Sequence, residues 1–348
     1  MKYLFVLALL LSQISAASEQ QINFDFDGFN SKGVLTVPNN GNLDTVIVLV
    51  HGSGPWDMDA SMMNPMTRQI SSTLFKDIAN HLAKQGIASI RYNKRHVHSA
   101  GNIDQQKFMQ EGNVTNFSSD LSTVVSWIKH NEQLNKASLY LYGWSEGALT
   151  STLVAKKHSI DGLILHGAPV FLQETFEFQR ANVLRPWLTE KGFEQLSVKD
   201  VFNLAGSGNL QSIWLGYSID MSKGYSNAAF HSYLDTNSDG KLHLDNEWLP
   251  IYKAYAQQTP STMKGLENDI ETLEKQPLLV LQGSLDGNTP QEFTDKLIAK
   301  LSQHVSYHKF DGLGHSLGKV THRAEDLFPP IEKAPLNTLT NWLKAQSK

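Results

Sequence analysis

The sequence predicts an α/β fold: a mostly parallel sheet, doubly wound by helices on both faces and interrupted by a largely helical insertion. Three observations lead there. Short β-branched runs alternate with stretches of helical period over 45–170 and again over 275–345. Between about 170 and 270 the alternation lapses into aromatic, helix-like segments. The chain has 348 residues, 41% of them hydrophobic, enough for one large core carrying an insertion.

The elements follow in order. Residues 1–17 place one Lys before an apolar run from Tyr3 to Leu11, then Ser15 and Ala17 two apart, as at a cleavage site. That is the pattern of a signal peptide, and it predicts a periplasmic or secreted protein. The run is shorter than the roughly 20 apolar residues of a membrane span. INFDF and GVLTV, within 22–37, read as two short strands parted by Gly and Asn. TVIVLVH (45–51) is a near-continuous apolar run, as in a strand buried on both faces. LFKDIANHLAKQ (74–85) has helical period and stops at Gly86, and IASIRY (87–92) is a strand. LSTVVSWIKHN (121–131) predicts a helix begun by Asp120, ASLYLYG (137–143) a strand, STLVAKKH (151–158) the continuation of a helix, and IDGLILHG (160–167) a strand. LLVLQG (278–283), PQEFTDKLIAKLS (290–302) and VSYHKF (305–310) repeat the cycle before a last helix over about 331–346. The expected organisation is a core of 18–169 and 271–348 with a helical cap over 170–270 lying across the ligand end of the sheet.

Composition narrows the function. The net charge is −4, so nothing calls for nucleic acid or an anionic membrane as partner. There is no cysteine, so stability must come from packing or a bound ion.

The chemistry starts at GWSEG (143–147). G-x-S-x-G occurs by chance in roughly one chain in ten of this length, given Gly and Ser near 7% each. Its place between a strand and a helix is what makes it informative. A tight strand-to-helix turn forces the Ser into a strained conformation that flanking glycines relieve, and the helix start aims N–H groups at a developing oxyanion. Ser145 is the predicted nucleophile. A Ser needs a base, and the base an orienter. Asp286 follows the strand LLVLQG, and His315 follows the strand VSYHKF in a Gly-bearing turn. His322 is the second choice of base, and Asp311 the second choice of acid. HGSGPWD (51–57) follows TVIVLV and can offer backbone N–H groups, so Ser53 and Glu146 are the predicted oxyanion donors. His51 reads as a structural hydrogen-bonder. Arg91, Lys94 and Arg95 read as bracing ion pairs before they read as a grip on an acidic substrate.

VLVHGSGPWDMD, IRYNKRHVHSAG, LYGWSEGALT, LVLQGSLDG and DGLGHSLG together resemble the α/β-hydrolase superfamily. They are nearest to bacterial secreted acyl esterases with an HGSGPxDxD loop, a group akin to dienelactone hydrolases and serine peptidases. The resemblance covers about 45–170 and 275–345. It implies the α/β-hydrolase fold and a Ser145–Asp286–His315 triad, with no cofactor for catalysis. One departure stands out. Where such proteins read RYDKRGxGxS, this chain reads RYNKRHVHS, with Asn93 for Asp and His96 and His98 for Gly.

DTNSDGKLHLDNE (235–247) opens like an EF-hand calcium loop. Asp235, Asn237 and Asp239 stand where side-chain oxygens are needed, Gly240 at the turn, and Lys241 where a backbone carbonyl is needed. The twelfth position, where a bidentate Glu belongs, is Asn246, and Glu247 comes one residue late. The expectation is a structural Ca2+ held by Asp235, Asn237, Asp239, Lys241 and either Asn246 or Glu247; the alternative is a polar Asx-turn between cap helices.

The leading functional expectation is an exported serine hydrolase working through an acyl-enzyme on small to medium carboxylic esters. A serine peptidase or thioesterase of the same fold is the alternative. From another class, a catalytically idle, calcium-stabilised binding protein would carry the same fold.

Overall fold

The computed structural model describes residues 17–63, 68–206, 219–220, 224–258, 265–302 and 305–346. The leader expected over 1–17 falls, but for its last residue, outside them.

Eight strands form one sheet: β1 (Ser18–Phe26), β2 (Phe29–Val37), β3 (Thr45–Val50), β4 (Ala88–Tyr92), β5 (Ser138–Trp144), β6 (Gly162–His166), β7 (Leu278–Gly283) and β8 (Val305–Phe310). Their spatial order is β1-β2-β4-β3-β5-β6-β7-β8. β1, β2 and β4 pair antiparallel, and every pairing from β4 to β8 is parallel. This is the α/β-hydrolase fold.

The unbroken apolar run of β3 has a direct cause. All six of its residues are buried, because helices cover both faces of the sheet. Alternate side chains point to opposite faces. Val46, Val48 and Val50 join the core containing Leu121, Val124 and Val125 of α2 (Val114–His130) and Leu149 of α3 (Glu146–Ala155). Ile47 and Leu49 join the core containing Phe75 and Ile78 of α1 (Leu74–Lys84). That second core also takes Leu339 and Leu343 of the C-terminal helix (Lys333–Gln346).

One boundary differs from the expectation. α2 begins at Val114, not near Asp120, because the Asn113 side chain accepts from the Asn116 N–H at 3.0 Å and caps the helix there. Asp120 lies inside the helix, buried against Arg95 at 2.6 Å.

Between β6 and β7 the described residues add no strand to the sheet. They form helices over Leu172–Phe178, Arg185–Glu190, Val198–Gly206 and Leu249–Gln258, with π-helical turns at Gln179–Leu184 and Leu244–Trp248. Trp187, Leu188, Val201, Leu242 and Trp248 give this segment an apolar cluster of its own, which Ala324 joins. It rests on loops at the carboxyl ends of β7 and β8. Gln179 Nε2 donates to the carbonyls of Gly287 and Asn288 at 3.1 and 2.8 Å, and Trp187 Nε1 donates to Glu325 at 3.1 Å. Among the described residues no helix is long and apolar enough to cross a membrane.

Candidate active site

Ser145 joins β5 to α3 with φ 54° and ψ −125°, a conformation side-chain-bearing residues avoid. The two glycines of GWSEG are there for space. A Cβ on Gly147 would lie 2.1 Å from the Val50 carbonyl oxygen, and one on Gly143 would lie 2.5 Å from the Ala148 Cα. Any larger residue would push α3 off the sheet and undo the turn. The Ser145 N–H donates to the His166 carbonyl at 2.8 Å, which ties the turn to β6.

Asp286 and His315 meet beside this turn. Asp286 Oδ2 lies 2.7 Å from His315 Nδ1, and both residues are buried. The acid is held from several sides. Its Oδ1 accepts the N–H groups of Asn288 and Thr289, both at 2.8 Å, and its Oδ2 accepts the Thr289 hydroxyl at 2.7 Å. Burial pushes its carboxyl up, but the imidazole and these donors outweigh that and hold it below the usual range. Burial likewise pushes His315 down, but the Asp286 carboxylate raises it above the ordinary imidazole value. In the neutral ring the bond to Asp286 keeps the proton on Nδ1 and leaves Nε2 as the acceptor. Trp144 Nε1 donates to the His315 carbonyl at 3.0 Å, and the Trp144 and Phe328 rings flank the imidazole with centroids 5.6 and 5.5 Å away.

The second choices lie elsewhere. Asp311 is exposed and accepts from Ser284 Oγ at 3.1 Å. His322 Nδ1 accepts the Ala324 N–H at 3.0 Å.

The HGSGPWD loop lies against the GWSEG turn, so close that a Cβ on Gly52 would come within 3.0 Å of Ser145 Cβ. Ser53 Oγ donates to Glu146 Oε2 at 3.2 Å. Beneath both, the buried Lys94 ammonium donates to the Gly52 carbonyl at 2.7 Å and to Glu146 Oε1 at 3.3 Å. Burial lowers the Lys94 pKa, and Glu146 opposes that. The other two cations are also turned inward. Arg91 pairs with Glu19 and Asp59, and Arg95 with Asp120 and Asp27. All three brace the fold. The Asn93 departure is filled usefully: its oxygen accepts the Met58 N–H at 2.7 Å, and its Nδ2 donates to the His98 carbonyl at 3.0 Å. A carboxylate could not make the second bond. His96, in place of a glycine, holds φ 62° and packs its Nε2 2.7 Å from Glu111.

His51 and His166 are buried and neutral, each with its pKa lowered to about 3, chiefly by burial. His51 Nε2 lies 2.9 Å from the Asp57 carbonyl, and His166 Nδ1 lies 2.6 Å from the Tyr142 hydroxyl. Thr289 and the double grip of Lys94 escaped the sequence reading. Asp-Gly-Asn-Thr after a strand is an Asx-turn signal that could have found Thr289. Lys94 left no such signal, since its partners are 42 and 52 residues away.

The 235–247 loop turns as its front half predicts. Asp235 accepts the N–H groups of Asp239 and Gly240, both at 3.0 Å, and Gly240 holds φ 73°. Asn237 Oδ1 accepts the Asp239 N–H at 2.9 Å, and Asp239 Oδ1 accepts the Lys241 N–H at 2.9 Å. His243, 3.0 Å from Asp239, lowers that carboxyl's pKa. Lys241 and Leu242 pair with Ser197 and Leu196 as a short ladder. The closing position divides the two candidates. The π-helical turn over Leu244–Trp248 absorbs one extra residue, so Glu247 faces the loop. Glu247 is buried and accepts the Thr236 and His243 N–H groups, both at 2.9 Å. Asn246 is exposed and lines a cleft with Arg185, Thr189 and Phe193. Among the described residues, no three His, Asp or Glu side chains are grouped as a metal would need.

Known proteins share this architecture. The chain is 31% identical over 148 residues to the esterase EstD of Thermotoga maritima, a stretch that is 42% of this chain and 32% of that protein. The match thus spans about a third of the length of that curated relative. Among solved structures, the Pyrococcus furiosus esterase Pf2001 superposes with a TM-score of 0.56 at 14% identity, over 95% of this chain and 92% of that one. A dienelactone hydrolase from Anabaena variabilis superposes with a TM-score of 0.52 at 12% identity, over 95% and 99%. At these identities the two superpositions establish the fold alone. The serine aminopeptidase S33 model of the Hydrolase_4 family matches residues 68–319, which hold the GWSEG turn, Asp286 and His315, and the chain belongs to that family.

Proposed function

We propose that this chain is an exported serine hydrolase that cleaves carboxylic esters through an acyl-enzyme. The observation that carries the reading is the buried Asp286–His315 pair, 2.7 Å apart, at a serine held in a strained strand-to-helix turn. His315 Nε2 takes the Ser145 hydroxyl proton as Oγ bonds to the ester carbon. The Ser53 and Glu146 N–H groups receive the oxyanion. The C–O bond to the alcohol breaks as His315 returns the proton to the departing oxygen. Water then attacks the acyl-enzyme with His315 again the base, and Ser145 regains its proton. Asp286 stays ionised throughout and orients the ring.

A peptidase reading is favoured by one observation, the serine aminopeptidase description of the family. p-Nitrophenyl esters of rising chain length, run beside aminoacyl anilides, separate the two. A fluorophosphonate probe should label the wild type and not Ser145→Ala. Removing a triad nucleophile costs on the order of 10⁶ in kcat. A folded Ser145→Ala variant that keeps more than about a tenth of the esterase rate would overturn the proposal.

We also propose that the 235–247 turn takes a structural Ca2+ through Asp235, Asn237, Asp239 and the Lys241 carbonyl, with Glu247 as the closing carboxylate. The support is the register of the loop and the π-helical turn that brings Glu247 to it. Glu247 would have to exchange its backbone hydrogen bonds for the ion.

A further inference from the structure

One buried carboxylate near the site has no part in the chemistry proposed above. Asp326 is fully buried, yet the described residues show no Lys or Arg against it. Its Oδ2 accepts the backbone N–H of His315, and its Oδ1 accepts the Phe328 N–H at 2.8 Å. The turn is shaped to admit it, for a Cβ on Gly314 would come within 2.2 Å of Asp326 Oδ2. Phe328, held at φ 51°, lays its ring 5.5 Å from those of both His315 and Trp144. One side chain therefore anchors the histidine's main chain and the aromatic wall beside its ring.

We propose that Asp326 is a positioning residue for His315, a second acid that fixes the base from its backbone side and adds negative charge beside the imidazolium that forms in the reaction. The proposal rests on His315 being the base. Burying a carboxylate without a cation is costly, so a neutral hydrogen-bonding residue would serve better if anchoring were the only role. The groups facing the pair are few. Asp286 lies on the ring, and His166, neutral, lies near both Asp286 and His315. On the chain beside Asp326, Glu325 is paired with Lys191, and Arg323 with Glu292. Burial, with Asp286 nearby, pushes Asp326 up to about 6, and its charge in turn raises His315.

The test is the pH dependence of Ser145 labelling by a fluorophosphonate, which needs no knowledge of the natural substrate. Labelling requires neutral His315, so its acid limb reports the basicity of the ring. Asp326→Asn keeps one acceptor oxygen and removes the charge. With less negative charge beside the ring, His315 becomes less basic, and the limb should move to lower pH by about 0.5–1 unit. The plateau rate should fall about tenfold or more as the ring loses its fixed position. Gly314→Ala, which drives the carboxylate away, should move the limb in the same direction. Melting curves show that each variant is folded before it is scored. A limb that stays within 0.2 units of the wild type in a folded Asp326→Asn protein, with only a uniform loss of rate, overturns the proposal. A wild type that takes no label defeats the serine hydrolase reading instead, so the two failures are distinct.

Discussion

Lys94→Met tests whether the two proposed oxyanion donors, the Ser53 and Glu146 N–H groups, are held by one buried cation. The change keeps an unbranched side chain and removes the ammonium, which lies 2.7 Å from the Gly52 carbonyl, 3.3 Å from Glu146 and 3.7 Å from the Phe117 ring centroid. Gly52 C=O and Ser53 N–H belong to one peptide plane, so anchoring the oxygen anchors the donor. Glu146 is held through its own side chain. Breaking a buried ion pair by removing one partner costs about 3–5 kcal/mol. The Glu146 side chain is 19% exposed and regains some hydration, and the ammonium is itself disfavoured by burial. The loss should therefore lie near the low end, about 3 kcal/mol, or a melting temperature lower by roughly 4 °C. Deleting one oxyanion donor outright costs about 10²–10³ in kcat. Here the donors remain but lose their anchor, so kcat for p-nitrophenyl acetate should fall about 10- to 100-fold, with KM within about threefold. Steady-state kinetics below the variant's melting temperature measures both. A folded Lys94→Met enzyme with kcat within twofold of wild type would refute the reasoning, even if its melting temperature drops, because Lys94 would then hold only the fold.

Two further outcomes concern stability. His51 and His166, lowered to about 3, stay neutral in the folded protein while the unfolded chain takes up protons below its ordinary value of 6.5. Stability should therefore fall as pH drops, by about 2 kcal/mol for each between pH 7 and 5. Asp326, raised to about 6, and His315, also raised, oppose this, so the net loss is smaller, on the order of 2 kcal/mol. Denaturant midpoints at the two pH values measure it, and equal stability at both contradicts the buried-neutral assignment. For the 235–247 loop, 1 mM Ca2+ acting on a site of about 10⁻⁴ M affinity contributes roughly 1.4 kcal/mol, a melting shift of about 2 °C. Glu247→Gln should erase the shift and Asn246→Ala should leave it; identical melting curves in EDTA and in calcium mean that the loop is only a turn.

What the sequence determined by itself is what depends on short-range pattern. β7 runs over 278–283 as expected, because a strand covered on both faces must be apolar along a continuous run, and β8, the partly exposed edge strand, runs over 305–310 as expected. The GWSEG turn was legible because close approach to Val50 and Ala148 excludes anything but glycine at its flanks. The pairing of Asp286 with His315 was within reach because each follows a strand end, where side chains converge in this topology. What only the tertiary structure decided depends on residues distant in the chain. Lys94 finds Gly52 and Glu146 only after β3, β4 and β5 are side by side, and Arg95 finds Asp120 of α2 and Asp27 of the β1–β2 turn only after those elements pack beside the end of β4. Asp326 reads in sequence as one more acid near a proline pair, and it gains a partner only when its segment folds back onto the His315 turn. That Glu247 rather than Asn246 faces the 235–247 loop follows from a single π-helical turn that no periodicity of the sequence announces. Local pattern specifies which face of an element is buried, whereas the partners of a buried charge are specified by packing, which alone removes the water that would otherwise satisfy it.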